Sequence, residues 1–256
     1  MIHGPTAGAG ELLKVGGTGA ALGTMHMIVG AFHAQNLDLE VSVLPSLGTS
    51  GAIKAVSQGA LQIGLSVRRL TDAEARLGMK TVEYARTPLV VAVAAGSAAK
   101  SLTLEQLARI YDGTLLTWPD GGQIRPILRQ AGDDNTRQLR QISPALDRAV
   151  TVSEQRPGMP YATTDQEAAD MAESIPGALT VTALSLIVSE RRRLRPLALD
   201  GLDATATDGA SGKYPYYKSF FLLVRTDTSP GVLRFVAFVR SAQSREILAR
   251  TGHWVP

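Results

Sequence analysis

The chain has 256 residues, 45% hydrophobic and 19% charged, with 26 basic residues against 23 acidic for a formal net charge of +3. That balance allows a large buried core, excludes disordered, collagen-like and low-complexity classes, and is too small a basic excess to mark a nucleic-acid partner. The absence of cysteine excludes a disulfide scaffold, a thiol nucleophile, an iron–sulfur cluster and a Cys-ligated zinc, while 25 glycines, about 10% of the chain against about 7% on average, pose a question of placement.

Residues 1–10 carry neither a basic nor an apolar leader region, so they do not read as an intact signal peptide. Strands are expected over 11–15, 39–44, 61–65 and 87–94, alternating with helices over 19–34 and 51–58; this spacing predicts an α/β fold with a mostly parallel sheet. A helix running to about Tyr111 should be capped by Thr103, with Gln106 three residues on. A second α/β unit follows, with strands over 124–129 and 177–182 and helices over 136–146 and 165–172. The Arg-rich run 190–195 and the segment 200–213 read as solvated loop, followed by a strand over 216–224 and a helix over 230–249. No run reaches the roughly 18 apolar residues that cross a bilayer.

The glycines gather in three segments of one design, each a strand, a short polar loop and a helix start. They are Val15-Gly16-Gly17-Thr18-Gly19-Ala20, Pro45-Ser46-Leu47-Gly48-Thr49-Ser50-Gly51-Ala52, and Arg129-Gln130-Ala131-Gly132-Asp133-Asp134-Asn135-Thr136-Arg137. A helix start offers unpaired N–H groups and the positive end of the helix dipole, glycine permits close approach, and hydroxyls add donors. Ordinary capping explains any one of them alone; three converging would hold a small anion. A dinucleotide site fits poorly, because Gly23 follows Gly19 at the wrong spacing and Glu40 stands near the start of the next strand and not at its end. No Gly-Lys-Ser/Thr of a P-loop occurs.

Lys14-Val15-Gly16-Gly17-Thr18-Gly19, then Gly48-Thr49-Ser50-Gly51-Ala52-Ile53-Lys54-Ala55-Val56 on to Ile63-Gly64-Leu65-Ser66, resembles the PstS-like, phosphate-binding branch of the solute-binding proteins of ABC transporters. Leu102-Thr103-Leu104-Glu105-Gln106-Leu107-Ala108-Arg109-Ile110-Tyr111-Asp112-Gly113, with Thr117-Trp118-Pro119-Asp120-Gly121-Gly122, is similar to the family's most recognisable stretch. Pro176-Gly177-Ala178-Leu179, Tyr214-Pro215-Tyr216 and the terminal Gly252-His253-Trp254-Val255-Pro256 extend the likeness over nearly the whole chain.

The resemblance implies a two-lobed type II periplasmic-binding-protein fold: two α/β lobes joined by two crossover strands, with residues 1–93 plus 216–256 in lobe I and 94–215 in lobe II. It implies a monomer in the periplasm or outside the cell, without cofactor, metal or nucleic acid, capturing a small inorganic oxyanion for an ABC permease; a membrane sensor is the alternative partner. Carried over by residue, Thr18 supplies the first-loop hydroxyl, Thr49 and Ser50 the second, Ser66 precedes the family's pocket Asp, Arg129 anchors the anion and Thr136 closes the site. Gly19, Gly51, Asp133 and Asn135 complete the candidate ligand groups. Because Arg129 should serve charge and not packing, Arg129→Ala is expected to abolish binding and leave the fold intact.

Two departures bear on the ligand. The family's pocket Asp is replaced by Val67, followed by Arg68 and Arg69, and the loop after Arg129 is one residue longer and acidic. Either Asp134 or Asn135 caps the next helix while both Asp side chains face solvent, or an Asp of this loop accepts the ligand's proton in place of the missing carboxylate. No paired-carboxylate, Gly-x-Ser-x-Gly or His-Glu-x-x-His pattern supports an enzyme. His26 and His33, seven apart on one helix face, are too distant to share a metal and read as surface or packing residues, while His3 and His253 lie near the two ends.

Overall fold

Short apolar or β-branched runs alternate with helices, most of whose starts carry hydroxyl or carboxylate caps, and the computed structural model, which describes residues 11–130 and 132–256, folds them into two α/β halves. The readings made for residues 1–10, His3 among them, and for Ala131 lie outside the described residues. The first elements are β1 (Glu11–Gly17), α1 (Leu22–His33), β2 (Leu39–Val43), α2 (Gly48–Ser57), β3 (Ile63–Ser66), α3 (Asp72–Ala75) and β4 (Met79–Ala94). Then come β5 (Ser101–Leu102), α4 (Leu104–Asp112), β6 (Arg125–Pro126), α5 (Asp134–Ile142), α6 (Pro144–Glu154), α7 (Asp165–Ser174), β7 (Ala178–Ala183), α8 (Leu184–Ser189), β8 (Leu194–Pro196), β9 (Ala198–Leu199) and α9 (Ala206–Ala210). The series is completed by β10 (Tyr217–Arg225), α10 (Pro230–Val239) and α11 (Ala242–Arg250).

One sheet runs in the order β2-β1-β3-β10-β4-β7-β6, with β8 also on β4. Its organising element is β4, 16 residues long. From Met79 to Pro88 it pairs antiparallel with β10, from Leu89 to Val93 with β7, and from Ala92 to Ala94 with β8. A single strand therefore belongs to both halves. β1 is parallel to β2 and β3, and β6 is parallel to β7, whereas every pairing made by β4 or β10 is antiparallel. The mostly parallel sheet expected from the alternation does not extend over the whole: β4, which joins the halves, and β10 beside it run antiparallel to their neighbours and make the sheet mixed.

Other boundaries move for identifiable reasons. The strand expected at 87–94 begins eight residues earlier, because Lys80, Glu83 and Arg86 interrupt the apolar run; Glu83 is ion-paired to Arg86 at 2.7 Å and Arg69 at 3.0 Å. The helix expected at 136–146 is two helices: Pro144 cannot continue α5 and instead starts α6, with the Ser143 hydroxyl accepting from the Leu146 N–H at 3.2 Å. Ser241 likewise splits the helix expected at 230–249 by capping α11. The Arg run is not wholly solvated, since Leu194, Arg195 and Pro196 form β8 and Arg192 pairs with Glu190 and Asp170. The segment 200–213 contains α9, capped by Thr205. The capping box at Thr103 and Gln106 forms as expected, with bonds of 3.0 and 2.9 Å.

Among the described histidines, His26 is exposed and the His33 Nε2 accepts from the Val41 N–H at 2.8 Å, tying α1 to β2. No group of three His, Asp or Glu side chains among the described residues could hold a metal. His253 does not hang in a solvated tail: it is 2% exposed, edge-on to Phe220 at 5.3 Å, and burial pulls its pKa down to about 4 from 6.5. The unfolded imidazole therefore binds its proton more readily than the folded one. The stability this confers is complete above about pH 6.5 and is lost as the pH falls towards 4, for a total of roughly 3 kcal/mol at 1.36 kcal/mol per unit. In urea titrations at pH 7 and pH 4.5, His253→Leu should show a distinctly smaller acid-induced loss of unfolding free energy than the native chain.

Candidate functional site

A cavity of about 170 Å³ lies where several helix starts meet. It is lined by Thr18 after β1, by residues 46–50 at the start of α2, by Arg129, Gln130 and residues 132–135 ahead of and at the start of α5, by residues 163–165 at the start of α7, and by Lys218 of β10. The three expected loops do converge. A fourth helix start and a strand lysine join them.

The protein's own carboxylates take two of the three loops' amides. Asp165 Oδ2 accepts from the Ala20 N–H at 3.0 Å, so a residue of α7 caps the turn that leads into α1. Its other oxygen accepts from Arg129 Nη1 at 3.1 Å and Asn135 Nδ2 at 2.7 Å. Asp133 caps α5: its Oδ1 accepts from the N–H groups of Asn135 at 2.9 Å and Thr136 at 3.4 Å, while Oδ2 pairs with Arg129 Nη2 at 2.6 Å. α7 is capped by its own Thr164. Among the described helix starts at the cavity, only that of α2 has no capping side chain, because the residue at its cap position is Leu47.

The first reading of the acidic loop, a cap from Asp134 or Asn135 with both Asp side chains in solvent, does not hold. Asp133, not Asp134 or Asn135, caps the helix, and neither Asp faces solvent: Asp133 turns to Arg129 and Asp134 pairs with Arg137. Burial pushes the Asp133 carboxyl above the usual carboxylate range, against the pull of Arg129. Burial would raise Asp165 too, but the charges of Arg129 and Lys218 and the hydrogen bond from Asn135 hold it below its ordinary value. Lys218 is wholly buried and its pKa is pulled down by desolvation, opposed by Asp165 and Asp133. Its ammonium donates to the Asn135 side-chain carbonyl.

Of the expected site residues, Thr18, Thr49, Ser50, Arg129, Asp133 and Asn135 line this cavity. Four do not. Ser66 is fully buried and turned to its own chain, donating to Arg68 O at 2.6 Å and accepting from the Arg68 N–H at 3.1 Å. Thr136 faces a smaller apolar cavity behind the loop. Gly19 is a packing position, since a Cβ there would meet the Asp165 carboxylate at 2.8 Å, and Gly51 sits over Leu47 within α2. Gly17 is likewise demanded by packing, with φ of +152° and a Cβ position 2.1 Å from Leu65 O. Val67, in the place of the family's pocket Asp, belongs to the hydrophobic core, and its N–H donates to the Thr49 hydroxyl at 3.3 Å.

Asp165 and Lys218 were not among the expected site residues. Lys218 had a signal, a lone lysine ahead of the apolar run Phe220-Phe221-Leu222-Leu223-Val224, where a charge is costly unless used. Asp165 had none, since an acidic residue in the first turn of a helix is ordinary.

A fold of two α/β halves sharing strands, with helix starts gathered at their junction, defines a class of binding proteins. The model of the PBP superfamily domain matches residues 4–243, and the chain belongs to that superfamily. A protein of Clostridium perfringens described as a phosphate ABC transporter substrate-binding protein, solved with bound phosphate, superposes with a TM-score of 0.83 at 19% identity, over 96% of this chain and 100% of that one. An ABC-type phosphate transport receptor from Vibrio cholerae gives 0.67 at 18% identity, over 96% and 100%. In sequence, the phosphate-binding protein PstS 2 of Streptococcus agalactiae is 26% identical over 106 residues, 41% of this chain and 36% of that protein, so the match spans about a third of the length of the curated relative. These likenesses bear out the two-lobed α/β fold and the PstS-like resemblance.

The geometry revises the expectation for Arg129→Ala. Arg129 is the ion-pair partner of both Asp133 and Asp165, so its removal leaves two buried carboxylates facing each other. Breaking a buried pair costs about 3–5 kcal/mol. Arg129→Ala should therefore lower the unfolding free energy by that order in urea at pH 7, and adding Asp133→Asn and Asp165→Asn should restore part of the loss.

Proposed function

We propose that this protein captures a small tetrahedral oxyanion of the phosphate class and delivers it to an ABC permease. On this reading it works as a monomer in the periplasm or outside the cell, closing its two lobes, residues 1–93 with 216–256 and residues 94–215, on the ion. The observation that carries the reading is the uncapped start of α2, which opens on a cavity that also holds the hydroxyls of Thr18, Thr49 and Ser50 and the cations Arg129 and Lys218. A helix start with hydroxyls and buried cations is the arrangement that binds an anion. The cavity's 170 Å³ falls below the roughly 300–1,000 Å³ of sites for drug-sized ligands, which suits an inorganic ion. The phosphate proteins of Clostridium perfringens, Vibrio cholerae and Streptococcus agalactiae support the same ligand class.

The neighbouring charges set which oxyanion fits. The cavity's cations and carboxylates are equal in number, Arg129 and Lys218 against Asp133 and Asp165, so an incoming ion is best accommodated with a proton to share. Asp133 is the acceptor at hand. Burial already disfavours its charged form, so the carboxylate and the ion are held together by the proton that the ion brings, and affinity falls as a rising pH removes that proton. Calorimetry with phosphate, arsenate, sulfate and molybdate checks this. Phosphate and arsenate should bind, more weakly as the pH is raised through neutrality, and sulfate should bind at least about tenfold more weakly because it has no proton to donate. Asp133→Asn, which keeps the capping oxygen and loses the charge, should narrow the gap. A native preference for sulfate would overturn the reading.

A further inference from the structure

The two cations of the cavity have unequal partners. Both terminal nitrogens of Arg129 are engaged by carboxylates, Nη1 by Asp165 and Nη2 by Asp133, and Nη2 also reaches Thr163 O at 3.4 Å. Lys218 is as deeply buried, yet its ammonium donates only to a neutral amide oxygen, that of Asn135. Among the described residues no carboxylate oxygen lies within 4.0 Å of it. An ammonium has three N–H donors, and a buried one without a charged partner is among the costliest groups a fold can hold. The longer-range field on it is divided, Asp165 and Asp133 favouring its charge and Arg129 and Arg137 opposing it.

The helix starts at the cavity show the same inequality. Asp165 occupies the amide of Ala20, Asp133 those of α5 and Thr164 that of α7, while α2 has no capping side chain. The unmet positive potential of the cavity thus lies at two places, the start of α2 and the ammonium of β10.

Resting on the oxyanion reading above, we infer that Lys218 is the direct cationic ligand of the captured ion, seated between β10 and the start of α2, and that Arg129 is a positioning residue that holds Asp133 and Asp165. The remaining ammonium donors of Lys218 bond to the ion's oxygens, and the N–H groups and hydroxyls of the first turn of α2 bond to its other side. Asn135 orients the ammonium. Arg129 supplies the ion no charge that is not already balanced by carboxylate.

Calorimetry with inorganic phosphate on the native chain, Lys218→Met and Lys218→Arg tests this, with melting curves showing that each variant is folded. Lys218→Met should lose roughly 100-fold in affinity, the order expected when a buried charged partner is removed, while Lys218→Arg stays within about tenfold of native. In lysine-labelled native protein, the Lys218 ¹⁵Nζ resonance, assigned by its absence from Lys218→Arg, should shift on titration with phosphate. This measurement does not depend on the methionine variant folding. Native-like phosphate affinity in folded Lys218→Met, or an unmoved Nζ resonance at saturating phosphate, overturns the inference and leaves oxyanion capture standing. A native chain that binds neither phosphate, arsenate nor sulfate overturns capture itself, and the role of Lys218 with it.

Discussion

The rest of the site depends on the pairing of Arg129 with two buried carboxylates. Asp133 and Asp165 come from different elements, one capping α5 and the other standing at the start of α7, and each could stay charged in a low-dielectric setting only beside a cation with matching geometry. The guanidinium fork meets both at once, with one terminal nitrogen on each carboxylate. Asp165 then reaches across to the Ala20 N–H, and beside it the Gln166 amide donates to Gly19 O at 3.0 Å. One ion-paired cluster therefore holds the α7 segment against the first loop, and it explains why position 19 has no room for a side chain.

This cluster also decides which parts of the cavity remain open to a ligand. A carboxylate accepting from a helix start does what a bound anion would do there, so the starts at residue 20 and at α5 are occupied from within. Electrostatic demand moves to α2 and to Lys218. Both are fixed by the sheet: α2 follows β2, which lies beside β1, and Lys218 sits on β10 opposite Thr87 of β4. β4 pairs with β10 over its first part and with β7 over its second, so the strand that carries Lys218 to the cavity is hydrogen-bonded to the one strand common to both halves.

The loops before α1 and α2 and the one before α5 were legible because glycine, hydroxyl and helix start follow one another locally. So were the alternation of strands and helices and the capping box at Thr103, since both rest on contacts a few residues apart. The charged first half of β4 and the breaks at Pro144 and Ser241 were readable in principle, through alternation and capping, but were masked by neighbouring patterns that favoured other boundaries.

Residue type and local order were enough to read an α/β chain with three anion-competent helix starts and Arg129 ahead of one of them, while the replacement of a pocket carboxylate by Val67 came from the resemblance to the PstS-like family. What those groups face depends on contacts between distant parts of the chain. Asp133 turns back on Arg129, Asp165 arrives from 145 residues away to cap the turn at Ala20, and Lys218 is carried under the cavity by a strand that pairs with both β3 and β4. Local sequence sets which helix ends can bind an anion, but whether an end is already filled depends on charges brought near by the fold, and the energy of a buried charge is set by those neighbours.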